Sequence, residues 1–343
     1  MVWKKMRGIH PGRRSVMKKW VVLAILAVMM AATTVWSQEG TGPMTEKEVI
    51  KLIKKNKKDQ MKAAGIVGQR SVSFEVTDEF KAALAKAGAS EMFYRAVLAA
   101  SPSGRSFTTP LGDKLQVTPE EKADFLQIQS EMDSAQQPKL CEDFEKKNPQ
   151  SVLLSYVLSQ LASLHQKQGQ YDKVIELCKR SIQLEPKNIF SLVMVSMLLP
   201  QPRLLRGTPA ENEKQVALAA EHASKAIELM AQIPAEMLEK DEDLQKRKAA
   251  LSSDAHSALG MVALYREDPP TAADEFKAAI SSGTGANPTN YFRLGEAYET
   301  MGKLDQAIEA FQNAADLGTG TAFQEFANKK ISEIKARKGL VTR

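Results

Sequence analysis

The sequence predicts an all-α protein, a solenoid of paired helices behind a smaller helical module. Three observations carry that expectation. Leu259-Gly260 returns as Leu294-Gly295 after 35 residues, and Ala272, Phe276 and Ala279 return as Ala307, Phe311 and Ala314 at the same offset. A fixed period of that length marks units that bury an apolar stripe only against their neighbours. Capping signals precede apolar runs of helical spacing, as where Thr45 is followed three residues on by Glu48. Of the 343 residues, 43% are hydrophobic and 26% charged, a composition that can bury a core.

Taken in order, residues 1–37 are expected to be a signal peptide. Lys4, Lys5, Arg7, Arg13, Arg14, Lys18 and Lys19 stand without an acid before the apolar run Trp20 to Ala32, and small Ser37 follows. That is the order of cationic, apolar and cleavage regions in a secretory leader. Cleavage is expected after Ser37, with export to the periplasm; a retained inner-membrane anchor is the alternative, and Arg13-Arg14 also fits a twin-arginine route. The leader explains the charge. A formal +6 over the whole chain invites a nucleic-acid or membrane-surface reading. The 47 cations less the leader's seven leave 40 against 41 acids, so the body is nearly neutral.

After a junction at 38–43, residues 44–100 read as a small helical module. Val49, Ile50, Leu52 and Ile53 lie at helical spacing behind Thr45, and Val72, Phe74 and Val76 alternate over an extended connector. Thr77 starts a helix carrying Phe80, Ala83, Leu84 and Ala87; Gly88 ends it, and Ser90 starts one carrying Phe93, Val97 and Leu98. The pattern resembles a short helical module of bacterial envelope proteins of the acidobacterial type. The cluster Lys54, Lys55, Lys57 and Lys58 has no interleaved aromatic for base stacking and reads as a solvated helix face. A membrane-surface adaptor is the alternative. Residues 101–118, with Pro102, Gly104, Pro110 and Gly112, read as a linker.

Residues 119–320 hold the repeats. In NYFRLGEAYETMGKLDQAIEAFQNAADLG, Tyr291, Leu294-Gly295 and Tyr298 stand on a first helix, Gly302 in the turn, and Ala307, Phe311 and Ala314 on a second. Small residues let the helices approach while Phe fills the space between them. LSQLASLHQKQGQYDKVIELCKRSIQLEP repeats the arrangement with Leu161-Ala162, Gly169, Tyr171 and Val174. PEEKADFLQIQS with KLCEDFEKKNP forms an earlier unit. IFSLVMVSMLLP with VALAAEHASKAIELM forms another, split by the insertion QPRLLRGTPAENEK. Residues 232–252 are long for an inter-repeat turn, and Ala263 stands where Tyr298 stands one repeat later. Residues 321–343 read as a capping helix and tail.

This pattern resembles the tetratricopeptide repeat, a helix-turn-helix unit of about 34 residues, and so implies a TPR-like α-solenoid. The resemblance implies a protein or peptide partner on the inner face of each first helix. That maps to Phe190, Val193 and Met197, then Ser257, Met261 and Leu264, then Phe292, Glu296 and Glu299. It also implies no carboxylate clamp, because the places for its Lys and Asn hold Ser159 and Ser163, Ser257 and Met261, Phe292 and Glu296.

No catalytic role is expected, and neither a cofactor, a metal nor nucleic acid; membrane contact is expected only through an uncleaved leader. H-E-x-x-H, paired His/Cys clusters and G-x-S-x-G are missing from the sequence. His165, His222 and His256 read as structural. Cys141 and Cys178 occupy equivalent places in adjacent units, about 8–10 Å apart by helix packing. A disulfide spans only about 4.4–6.8 Å between Cα atoms, so two buried thiols are expected, with a bond the alternative in an exported chain.

Overall fold

The computed structural model describes residues 42–131, 133, 135–283 and 287–341. The expected leader at 1–37 lies outside them. The chain divides into two compact units, the first ending at Ser103 and the second beginning at Gly104.

Among the described residues, the first unit holds four helices: α1 (Glu46–Lys55), α2 (Gln60–Arg70), α3 (Asp78–Lys86) and α4 (Glu91–Ala100). Thr45 caps α1 reciprocally. Its hydroxyl accepts the Glu48 N–H at 3.4 Å, and the Glu48 carboxylate accepts the Thr45 N–H at 2.8 Å. Thr77 and Ser90 cap α3 and α4 from one side only, each hydroxyl accepting the N–H three residues on. Val49, Ile53, Val67, Phe80, Leu84, Phe93 and Val97 fill the core. The expected connector is extended where Met44 and Val72 form a parallel bridge. Helix α2 has no counterpart in the sequence reading. Only Ala63 and Val67 of its residues are buried, too sparse a stripe to register as a period. The lysine cluster is exposed, as a solvated face is.

The second unit opens with a hairpin, β1 (Ser106–Thr108) antiparallel to β2 (Lys114–Gln116) with Phe107 opposite Leu115. This corrects the expected linker at 101–118. Gly112 at φ +86° closes the turn, and Thr109 Oγ1 accepts the Leu111 and Asp113 N–H groups at 3.2 Å each. Helix pairs then follow: α5 (Pro119–Ser130) with α6 (Gln137–Lys147), α7 (Leu154–Lys167) with α8 (Tyr171–Leu184), and α9 (Ile189–Leu198) with α10 (Pro209–Ala231). A short α11 (Ala235–Lys240) leads into α12 (Glu242–Tyr265), which pairs with α13 (Pro269–Ser282). Next, α14 (Pro288–Thr300) pairs with α15 (Leu304–Leu317), and α16 (Ala322–Val341) packs on α15. The expected all-α repeat architecture is therefore what forms. The two irregular stretches are partly helical, since α10 begins inside the insertion and α11 with the start of α12 takes up 232–252.

The repeat-defining residues meet as pairs. A Cβ on Gly260 would lie 2.7 Å from the Phe276 ring, and one on Gly295 2.8 Å from the Phe311 ring. Leu161, Leu294, Ala272, Ala279, Ala307 and Ala314 are buried as well. Leu259, Tyr291 and Tyr298 are half-buried, and Tyr171 lies under Arg203, whose guanidinium is 3.9 Å from the ring centre. The turns share one hydrogen-bond pattern. Gly169 and Gly302 adopt φ +72° and +71°, and the residue after each donates its N–H five residues back, to His165 and Tyr298. Glu267 takes the same place with φ +57°, and Asp268 donates back to Ala263.

A buried hydroxyl network, which the sequence reading did not identify, also repeats. Ser155 donates to the Ser181 carbonyl at 3.1 Å and Ser253 to the Ala279 carbonyl at 2.7 Å, each 26 residues on. One turn later, Ser159 bonds Asn188 and Ser257 bonds Asn290, both at 2.9 Å. Asn188 caps the first helix of the next pair and Asn290 lies in the first turn of α14 (Pro288–Thr300), so the network ties successive pairs together without leaving these buried amides unpaired.

Candidate functional site

The second unit contains a cavity of about 810 Å³. Its walls come from the first helices of successive pairs: Phe125 on α5, Tyr156, Gln160 and Leu164 on α7, Phe190 on α9, and Leu244 and Leu251 on α12. On α7 the lining positions 156, 159, 160, 163, 164 and 167 form one continuous helical stripe. The remaining wall is the hairpin and the α10–α11 connector, which touch. A methyl at Gly112 would meet Pro234 Cγ at 3.4 Å and Met237 Sδ at 3.5 Å, and Leu111 packs on the buried cluster that holds Ile233 and Leu244. At the hairpin's base Phe107 sits against Phe125 and Tyr156, with ring centres 5.4 and 5.1 Å away. Asp113 pairs with Lys187 at 3.5 Å. Burial, with Glu185 and Asp113 nearby, pushes the Tyr156 hydroxyl up to about 12, so it stays a neutral hydrogen-bonding group.

Of the expected partner-binding residues, Phe190 alone lines this cavity, and it is 37% exposed. Val193 and Ser257 are corrections. Val193 is buried in the cluster with Ala223 and Ala226, and Ser257 is buried and bonded to Asn290. Met197 packs partly buried on that cluster, and Met261 and Leu264 pack on Ala263, Ala272 and Phe276. Phe292 meets Phe311 and Phe323 edge to face at 5.1 and 6.4 Å. Glu296 pairs with Arg293 at 2.7 Å, while Glu299 holds Lys330 at 3.0 Å and Arg337, both on α16. The mapped strip thus packs within the chain or is bound by its last helix. The expected face assumed one register for every first helix. Helix α9, however, is buried nearly all round, which leaves Phe190 as its outlet. The α7 stripe was legible as polar positions at helical spacing, but the hairpin and α11 walls carry no period to read.

Among the described residues, no group of three or more His, Cys, Asp and Glu side chains converges as a metal site. His165 bonds Gln170 and His256 bonds Glu275, both at 2.8 Å. Burial lowers the pKa of His222, whose Nδ1 is buried without a partner. Cys141 and Cys178 are free and buried, and burial pushes both thiols up to about 12, which makes them inert. No described helix is long and apolar enough to cross a membrane.

The tetratricopeptide repeat family matches at residues 157–188 and again at 288–317. Those are the α7–α8 and α14–α15 pairs, so the fold is a TPR-like all-α solenoid. Repeats of this kind typically build non-catalytic scaffolds for protein–protein interaction. No curated protein matches the chain. Among solved structures, a thermophilic TPR protein of Thermus thermophilus is 16% identical, with a TM-score of 0.43 over 62% of this chain and 98% of that one. PilW, a widely conserved type IV pilus biogenesis factor, is 16% identical, with a TM-score of 0.37 over 61% and 99%. MamA is 20% identical, with a TM-score of 0.34 over 55% and 85%.

Proposed function

We propose that this chain is a non-enzymatic binding scaffold of the bacterial envelope that holds a segment of a partner protein in the cavity of its second unit. One observation carries the reading: first helices of four helix pairs, α5, α7, α9 and α12, converge on a single cavity. A cavity of this size with aromatic and aliphatic walls and a few amide and hydroxyl groups has the make-up of a recognition site. The envelope placement is supported by the leader pattern at 1–37, with cleavage after Ser37, and by the likeness of residues 44–100 to an acidobacterial-type envelope module.

The test is capture from envelope extract by the full chain, wild type against Phe190→Asp and Leu251→Asp. Both substitutions place a carboxylate in the cavity wall at positions that are not fully buried. A partner held by wild type and lost from both folded variants supports the proposal. A partner retained by both puts the site elsewhere. Fractionation with N-terminal sequencing of the mature protein checks the placement, the expected first residue being Gln38.

A further inference from the structure

We infer that the cavity takes an extended peptide that adds as a third strand to the outer edge of β1. The inference rests on the cavity being the partner site, and it specifies what enters.

The hairpin register carries the inference. Thr109 donates to the Asp113 carbonyl and Val117 to the Arg105 carbonyl, both at 2.9 Å. In an antiparallel ladder hydrogen-bonded pairs alternate with non-bonded ones, so Phe107 and Leu115 also form a bonded pair. The main-chain groups of Ser106 and Thr108 therefore point away from β2. Lys122 Nζ takes the Ser106 carbonyl at 3.0 Å. Thr108 is exposed and presents N–H and C=O at the outer edge. That edge borders the cavity, since Phe107 and Thr108 line it and residues 114–116 do not. A strand edge of this kind is answered by another extended backbone. A helix has its N–H and C=O groups paired internally, and an acyl chain has none to offer. Phe107 faces the solenoid, so the added strand would run beside an aromatic floor.

Charge sets no sign for the peptide. All four acids lining the cavity are already engaged by this chain. Asp113 holds Lys187, Glu185 accepts the Lys187 N–H, Asp241 caps α12 through the Leu244 N–H, and Glu131 accepts the Asp133 N–H. Of the cations, Lys167, Arg247 and Lys248 have no acidic partner among the described residues. A main-chain N–H leaves a carboxylate its charge, so Glu131, Glu185 and Asp241 balance Lys167, Arg247 and Lys248, and recognition rests on main-chain pairing and apolar contact.

The test selects peptides from a random display library against the full chain, then measures binding of the synthetic winners by fluorescence anisotropy. Winners should be extended and apolar at the centre. N-methylation of alternate backbone nitrogens should weaken binding about tenfold, the scale of one lost charge-free hydrogen bond in a desolvated site. Thr108→Pro should do the same, because Pro is tolerated on an outward-facing edge position but removes the N–H. Thr108→Val, which keeps the N–H, should bind as wild type. The inference is overturned if no peptide is enriched, if winners are helical, or if N-methylation leaves affinity unchanged. Partner capture lost in Phe190→Asp together with N-methyl-tolerant peptides would sink strand addition and leave the scaffold standing.

Discussion

Gly295→Ala adds one methyl group to the middle of α14, and at an exposed helical site that exchange stabilises by about 0.8–1 kcal/mol. Here the new Cβ would lie 2.8 Å from Cδ1 and Cε1 of Phe311 and 2.9 Å from Cζ. Carbon atoms prefer about 3.5–4.0 Å. The ring has nowhere to retreat, being fully buried, edge-on to Phe292, and clustered with Ala307, Ala314, Ala327 and Ile331. Overpacking of a tight core costs about 1–3 kcal/mol. Set against the gain in helix propensity, the expected net loss is up to about 2 kcal/mol. The opposite perturbation, Phe311→Ala, empties the space and costs about 3–5 kcal/mol. A repeat array need not melt as one unit. The assay is therefore amide hydrogen exchange over residues 288–317 beside a thermal melt, with about 2–4 °C expected per kcal/mol for a unit of this size. Gly68→Ala on α2 is the control, because a Cβ there meets nothing within 4 Å, and it should be neutral or stabilising. Gly295→Ala at or above the wild-type melt, with unchanged exchange, would refute the close Gly–Phe contact as what defines the repeat.

Glu267 sits at φ +57° where the equivalent turns carry glycine. Glu267→Gly should stabilise the α12–α13 turn by about 0.5–1 kcal/mol, the relief of left-handed strain less the entropy glycine adds to the unfolded chain; a lower melting temperature would contradict it. Burial raises the folded pKa of Cys141 and Cys178 from 9.0 to about 12. Between those values the unfolded thiols ionise and the folded ones do not, so the unfolded state binds fewer protons and stability falls as pH rises. Cys141→Ala with Cys178→Ala should flatten that fall in denaturant melts between pH 8 and pH 10 (about one unit either side of an ordinary thiol), and an unchanged slope would assign it elsewhere.

Much of this protein was determined by short-range pattern. Thr45 with Glu48 marked a helix start because capping involves only neighbours in sequence. The 35-residue return of Leu-Gly and of A-x-x-x-F-x-x-A marked the helix pairs because a glycine opposite a phenylalanine is a contact made within one unit. The places of Gly169 and Gly302 in the turns were legible for the same reason. The tertiary structure alone decided the cavity. Its wall needs Gly112 against Pro234 and Met237, and Leu111 on a cluster built by α9, α10 and α12, all of them distant in the chain. It also decided that Val193 and Ser257 are interior and that α16 occupies Glu299. Periodicity reports which side of a helix is apolar; what covers that side, another repeat, the chain's own last helix or an open cavity, depends on distant segments that no local pattern records.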